Sequence, residues 1–180
     1  MFESTIKALS LLNAESIFCA ADALRKVALL GQTIWVFGNG GSAAAADHLE
    51  TDLAYVRDES STTIRVHSLS SNSALLTAVA NDVGVQNIFS AQLKRKAIAG
   101  DICVIISSSG GSPNVLDAIS YCKSTGIQTL GIFGAWGEGA NSQVDYLIEI
   151  PSKIKDYHSV ENAQLAICHA LARLLRERLL

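Results

Sequence analysis

Four side chains carry the donor chemistry of this sequence. His48 and Asp52 are four residues apart in a helix-like run, so they share a helical face and could ligate one metal ion or act together in proton transfer. Glu161 and His169, eight apart near the carboxyl end, differ by about 80° around a helix axis and can also share a face. Together they could form a four-ligand His/Asp/Glu/His set, one divalent ion per site, suited to zinc and also open to manganese, iron or nickel. Exposed His/Asp pairs at this spacing are also common as plain helix-surface contacts, and the pair alone favours that reading.

Two Gly/Ser turns supply a second kind of chemistry. Gly38-Asn39-Gly40-Gly41-Ser42 follows the apolar run Ile34–Phe37, and Ser107-Ser108-Ser109-Gly110-Gly111-Ser112 follows Ile102–Ile106. Each precedes a helix-like run, so both should lie at the carboxyl ends of parallel strands, where open α/β sheets bind ligands. Glycine allows close backbone approach to an oxyanion, serine adds hydroxyl donors, and the following helix offers free N–H groups. Gly38, Gly40 and Ala43 also fit G-x-G-x-x-A, but the second strand ends in Val66-His67-Ser68-Leu69 without the acidic residue a dinucleotide ribose requires, and Asp58 and Glu59 precede it. Neither turn ends in Gly-Lys-Ser/Thr, which disfavours a phosphate-loop NTPase. A simple phosphate ester fits better, although such turns also occur without a ligand. Asn81-Asp82 reads either as a helix end or as a pair that binds sugar hydroxyls. His67 and His158 read as loop histidines with no partner that the sequence names.

The elements that must position these residues alternate along the chain. Strands are expected near Thr33–Phe37, Thr63–Val66, Asp101–Ser107, Thr129–Phe133 and Tyr146–Ile150. Helices are expected near Ala43–Tyr55, Ser73–Ala80, Val85–Ala99, Pro113–Ser124 and Val160–Leu179, with Ser112 as a potential cap and Pro113 in a first turn. Glu3 to Leu30 is one long helix or two short ones, broken at Asn13–Ser16. This predicts an α/β fold with a five-stranded parallel sheet in one domain over residues 1–180: a helical segment 1–30, an α/β core 31–157 and a final helix 158–180. Gly134–Gly139 reads as a loop. The apolar surface of the first and last helices covers either the core or a subunit contact.

Composition narrows the classes further. No apolar run reaches the roughly 20 residues of a membrane span, and no signal-peptide pattern opens the chain, so a cytoplasmic protein is expected. A net charge of −3 without a basic block argues against a nucleic-acid surface. Cys19, Cys103, Cys122 and Cys168 lack CxxC spacing and read as buried reduced thiols.

Taken together, Gly38–Ser42, His48 with Asp52, Ala80–Gly84, Ile88-Phe89-Ser90, Ser107–Ser112 and His169 resemble the sugar-isomerase (SIS) domain family, and within it the bacterial phosphoheptose isomerases. The resemblance spans nearly the whole chain. It implies a flavodoxin-like five-stranded parallel sheet, a homotetramer with sites at subunit interfaces, and conversion of sedoheptulose 7-phosphate to D-glycero-D-manno-heptose 7-phosphate. It places Asn39, Gly40, Gly41, Asn81, Asp82, Ser107, Ser108, Ser109 and Ser112 around the phosphosugar, with the serine turn on the phosphate. Metal positions fall on His48, Asp52, Glu161 and His169, and base and acid on Asp52 and His169, with Asp52 and Glu161 also facing substrate. The family has glutamate at Asp52, glutamine at Glu161, aspartate at His158 and arginine at Val56, with Arg57 one position later in this chain. Two other readings within the resemblance are an isomerase of a different phosphosugar and a non-catalytic SIS adaptor that binds a replication-initiator-type protein.

Overall fold

The computed structural model describes residues 2–55, 63–136 and 140–179. Val56, Arg57, Asp58, Glu59, the last three residues of the Gly134–Gly139 stretch and Leu180 lie outside the described residues. The amino end forms two helices, α1 (Glu3–Ser10) and α2 (Ala14–Leu29). Asn13 separates them, its side chain accepting from the Glu15 N–H at 2.9 Å as an N-cap. There follow β1 (Thr33–Gly38), α3 (Gly41–Ala54), β2 (Arg65–Ser68), α4 (Ser73–Asp82), α5 (Ser90–Lys96), β3 (Ile102–Ser107), α6 (Pro113–Thr125), β4 (Gln128–Gly134), β5 (Tyr146–Ile150) and α7 (Tyr157–Leu179). Among the described residues no helix is long and apolar enough to cross a membrane.

The five strands form one parallel sheet in the order β2-β1-β3-β4-β5. The order reverses between β1 and β3, which pair with Gly38 opposite Ile106. Both Gly/Ser turns therefore open at the crevice beside this reversal, where the connecting helices diverge to opposite faces. Central β3 is buried along its whole length, which explains its continuous apolar run. Its side chains alternate between two cores: Ile102, Val104 and Ile106 pack with α2, α3 and α7, while Cys103 and Ile105 pack with α5 and α6.

Several boundaries differ from those expected. β2 begins two residues later than Thr63, because Val66 pairs opposite Ile34 and this edge strand then alternates exposed and buried residues. The expected helix over Val85–Ala99 is a 3-10 turn, Val85–Asn87, followed by the short α5. Phe89 lies between them with its ring stacked on Phe37 at 4.5 Å, and burying that ring breaks the helical path. α4 runs on through Asp82, so Asn81 and Asp82 belong to its last turn. Pro113 is the first residue of α6, but Ser112 makes no side-chain cap bond. Cys19 is exposed rather than buried, whereas Cys103 and Cys122 meet in the second core with Sγ atoms 3.5 Å apart.

Candidate active site

α3 and α7 position most of the chemistry, and their mutual register follows from four points along their length. Glu161 lies against Gly41, and Ser42 Oγ donates to Gln164 Oε1 at 2.8 Å. His48 Nε2 meets His169 Nε2 at 2.8 Å, and Arg176 Nη2 donates to the Asp52 carbonyl at 3.3 Å. Residue numbers rise together on both helices, so the two run in the same direction from the serine turn outward.

His48, Asp52 and His169 come together at the middle of this pair. Asp52 Oδ2 lies 3.5 Å from His48 Nε2 and 3.9 Å from His169 Nε2. The two imidazoles meet edge to face, with centroids 4.8 Å apart. One potential ligand atom from each residue falls within 4.8 Å of the others, and among the described residues this is the group that could hold a metal ion. Two imidazole nitrogens and a carboxylate oxygen converging from partly exposed side chains suit a divalent cation with room for further ligands. Behind them, burial pushes the Cys168 thiol up to about 12, with the Asp52 charge adding to the shift, so the thiol keeps its proton at neutral pH.

Glu161 is placed differently. Its carboxylate packs against Gly41 at the first turn of α3, filling the space that a β-carbon on Gly41 would need. A carboxylate there complements the positive end of the helix. Gly40, just before it, adopts a φ of +55°, a conformation that favours glycine. The predicted four-ligand set is thus divided, with three members in the His/Asp group and Glu161 two helical turns earlier against Gly41 of the first turn.

Between the two turns lies a pocket of about 190 Å³. Asn39, Gly40 and Ser42 line it from the first turn, and Ser107, Ser108, Ser109 and Ser112 from the second, while α7 contributes Tyr157 and Glu161. Ser107 Oγ accepts from the Gly110 N–H at 3.0 Å, which folds the serine turn over itself. Asn39 exchanges two hydrogen bonds of 3.0 Å with Asn114 of α6, locking one turn to the helix that follows the other. The pocket therefore presents hydroxyls and turn backbone on one side and a single carboxylate on the other. A larger cavity of about 440 Å³ lies between α1 and the β5–α7 connection, but it holds none of these groups.

Asn81 and Asp82 do not line the pocket. They are exposed and bonded to each other, Asn81 Nδ2 to Asp82 Oδ1 at 2.8 Å. His67 lies within β2, its ring 5.5 Å from that of Trp35 and its Nδ1 3.7 Å from Glu50 Oε1. His158 is exposed in the first turn of α7, not in a loop. Sequence reasoning missed Asn114, Gln164 and Tyr157. Gln164 lies three residues after Glu161, on the same helical face, which is the signal that could have found it.

The comparisons with known proteins bear on the family and the fold. Residues 2–134 match the SIS domain family. The chain is 36% identical over 179 residues to a phosphoheptose isomerase of Geotalea daltonii, covering 99% of this chain and 90% of that protein. It is 32% identical over 179 residues to one from Pelobacter propionicus, covering 99% and 92%. The solved structure of a phosphoheptose isomerase from Francisella tularensis superposes with a TM-score of 0.90 at 25% identity, covering 98% of this chain and 94% of that one. A family match over most of the chain, relatives above 30% identity along almost its full length and the same parallel-sheet architecture establish that this chain belongs to the SIS domain family.

Proposed function

We propose that this protein is a phosphosugar aldose–ketose isomerase acting on sedoheptulose 7-phosphate and forming D-glycero-D-manno-heptose 7-phosphate. The observation that carries the proposal is the placement of the serine pocket and the His48–Asp52–His169 group on one helix pair. From Glu161 to His169, α7 rises by about 12 Å, so an extended phosphosugar can rest its phosphate on the serine turn while its carbonyl carbons reach the histidines. The names of the similar relatives support the same substrate class.

In this reading Ser107, Ser108, Ser109 and Ser112 hold the phosphate, and Asn39, Gly40 and Gly41 border the sugar. Asp52 removes the proton from the carbon beside the carbonyl, and His169 serves the carbonyl oxygen, giving an enediol that is reprotonated on the neighbouring carbon. Each positioned acid or base typically contributes about 10²–10⁴-fold. As an alternative arrangement, His48, Asp52 and His169 would hold one divalent cation, zinc first, with Glu161 as a fourth ligand only if it left Gly41; Asp52 would then be a ligand and not the free base. When bound, such an ion would favour negative charge on the substrate oxygens. We further propose a homotetramer with sites at subunit interfaces, which would cover the exposed Phe2, Ile6 and Phe18 and bring Asn81 and Asp82 to a neighbouring site. A stable monomer by light scattering at micromolar concentration would overturn that assembly.

The test of the activity is incubation of purified protein with sedoheptulose 7-phosphate at several zinc loadings. Aldose product is expected. Its absence at every loading overturns the substrate, and a panel of other phosphosugars then shows whether the isomerase chemistry survives on a different one.

A further inference from the structure

We propose that Tyr157, braced by Trp136, is a specificity-determining wall of the serine pocket that packs on the apolar C–H face of the sugar carbons next to the phosphate. This rests on the phosphosugar reading above. Tyr157 is the first residue of α7 and lines the pocket opposite the serine turn, beside Glu161. Its ring is exposed, yet it is not loose: it meets the Trp136 ring at 89° with centroids 5.7 Å apart, the edge-to-face arrangement aromatic pairs favour. Trp136 is anchored in turn. It packs against the core at the end of β4, where a β-carbon on Gly134 would stand 3.4 Å from both Trp136 Cζ3 and Val160 Cγ2 and would collide with the Ser108 carbonyl. The aromatic pair thus stands at the end of β4, where Gly134 abuts both the Trp136 ring and the Ser108 carbonyl of the serine turn.

The pocket's other groups are polar: serine hydroxyls, the Asn39 amide and the Glu161 carboxylate. They can bind a phosphate and hydroxyls, and apart from Tyr157 no lining residue carries an apolar or aromatic side chain to set against the carbons between them. Sugar sites need both, and a rigid aromatic ring supplies apolar area at small entropic cost. Tyr157 is the aromatic ring among the residues that line this pocket. It also stands at the phosphate end, away from His169, so it should act on affinity and on which sugar is accepted, not on the proton transfers.

The experiment uses full-length protein and compares wild type, Tyr157→Ala, Tyr157→Phe and Trp136→Phe. Steady-state kinetics on sedoheptulose 7-phosphate should show KM raised about tenfold in Tyr157→Ala with kcat nearly unchanged, and near-wild-type values in Tyr157→Phe, which keeps the ring. Titration followed by tryptophan emission should show a change on adding sedoheptulose 7-phosphate that disappears in Trp136→Phe, because Trp35, the other tryptophan, is buried against Asp101. Competition by inorganic phosphate separates the roles: Tyr157→Ala should bind phosphate as wild type does while binding the sugar phosphate more weakly. An unchanged KM in Tyr157→Ala, or equal weakening toward both ligands, overturns the wall while leaving the isomerase reading intact. If no phosphosugar is turned over, the isomerase reading falls and the wall is judged by the titration alone. It stands if sedoheptulose 7-phosphate changes Trp136 emission and Tyr157→Ala weakens that binding, and it falls if either result is missing.

Discussion

The two Gly/Ser turns have nearly the same composition and opposite uses. In the first, almost every polar group is committed inside the protein: Asn39 to Asn114, Ser42 to Gln164, and the approach to Gly41 to the Glu161 carboxylate. In the second, Ser107 and Ser109 accept only from N–H groups of their own turn, and Ser112 leaves its helix uncapped. An anion that might have settled at the first turn finds the protein's own carboxylate already there. The first turn therefore acts as a joint among α3, α6 and α7, and the second, on the phosphosugar reading, keeps donors for the phosphate. Sequence composition marks both as anion sites, but only tertiary contacts reveal which one is already satisfied.

The strongest way to break this division lies on the helix that the first turn launches. Asp52→Asn or His169→Ala should lower kcat by about 10²–10⁴-fold while phosphosugar binding at the serine turn survives. Kinetics combined with a binding titration checks this, and a loss confined to affinity would place the chemistry elsewhere. Next in size, Gly41→Ala should displace the Glu161 carboxylate and cost at most about 1 kcal/mol, because its β-carbon meets only the movable end of that side chain. Denaturant unfolding of Gly41→Ala, Glu161→Ala and the double variant measures the coupling, and additive effects would mean the two residues are independent. At the open turn, Ser112→Ala should weaken phosphosugar binding about tenfold with unfolding stability within about 0.5 kcal/mol of wild type. A stability loss comparable to that of Gly41→Ala would erase the contrast between the turns.

The smallest effect tests the buried side of α7. Burial raises the Cys168 thiol from 9.0 to about 12, so above pH 9 the unfolded chain loses this proton while the folded chain keeps it. The unfolded state then binds fewer protons, and stability must fall as pH rises through that window. Urea unfolding on either side of pH 9 should show the fall, with a shallower slope in Cys168→Ala. Under native conditions a thiol reagent should label Cys19 and spare the buried Cys103, Cys122 and Cys168.

Local patterns were enough for the strands, both turns and the pairing of His48 with Asp52, because strand burial and helical spacing act over a few residues. The β3 run and Pro113 as the first residue of α6 follow directly from such signals. What remained hidden depends on how distant elements meet. Nothing in the residues around Glu161 states that α7 lies alongside α3 with Glu161 over Gly41, yet that register decides whether Glu161 joins His169 or the serine pocket. The break at Phe89 required knowing that Phe37 awaited it in the core. Tyr157 was invisible for another reason: a single aromatic residue at a helix start has no periodic partner, and only the fold brings Trp136 beside it.

The parallel helix pair has one more consequence. Ser42–Gln164 fastens it near the serine pocket, and Arg176 on the Asp52 carbonyl fastens it beyond the histidines. On the phosphosugar reading, the pair is a measuring rod graduated by helical rise, about 1.5 Å per residue. Substrate length is then read along two helices cross-braced at both ends, so altered surface loops other than the serine turn would leave it unchanged. Moving to a shorter or longer sugar would require relocating the histidines by a whole helical turn, since intermediate positions point away from the partner helix.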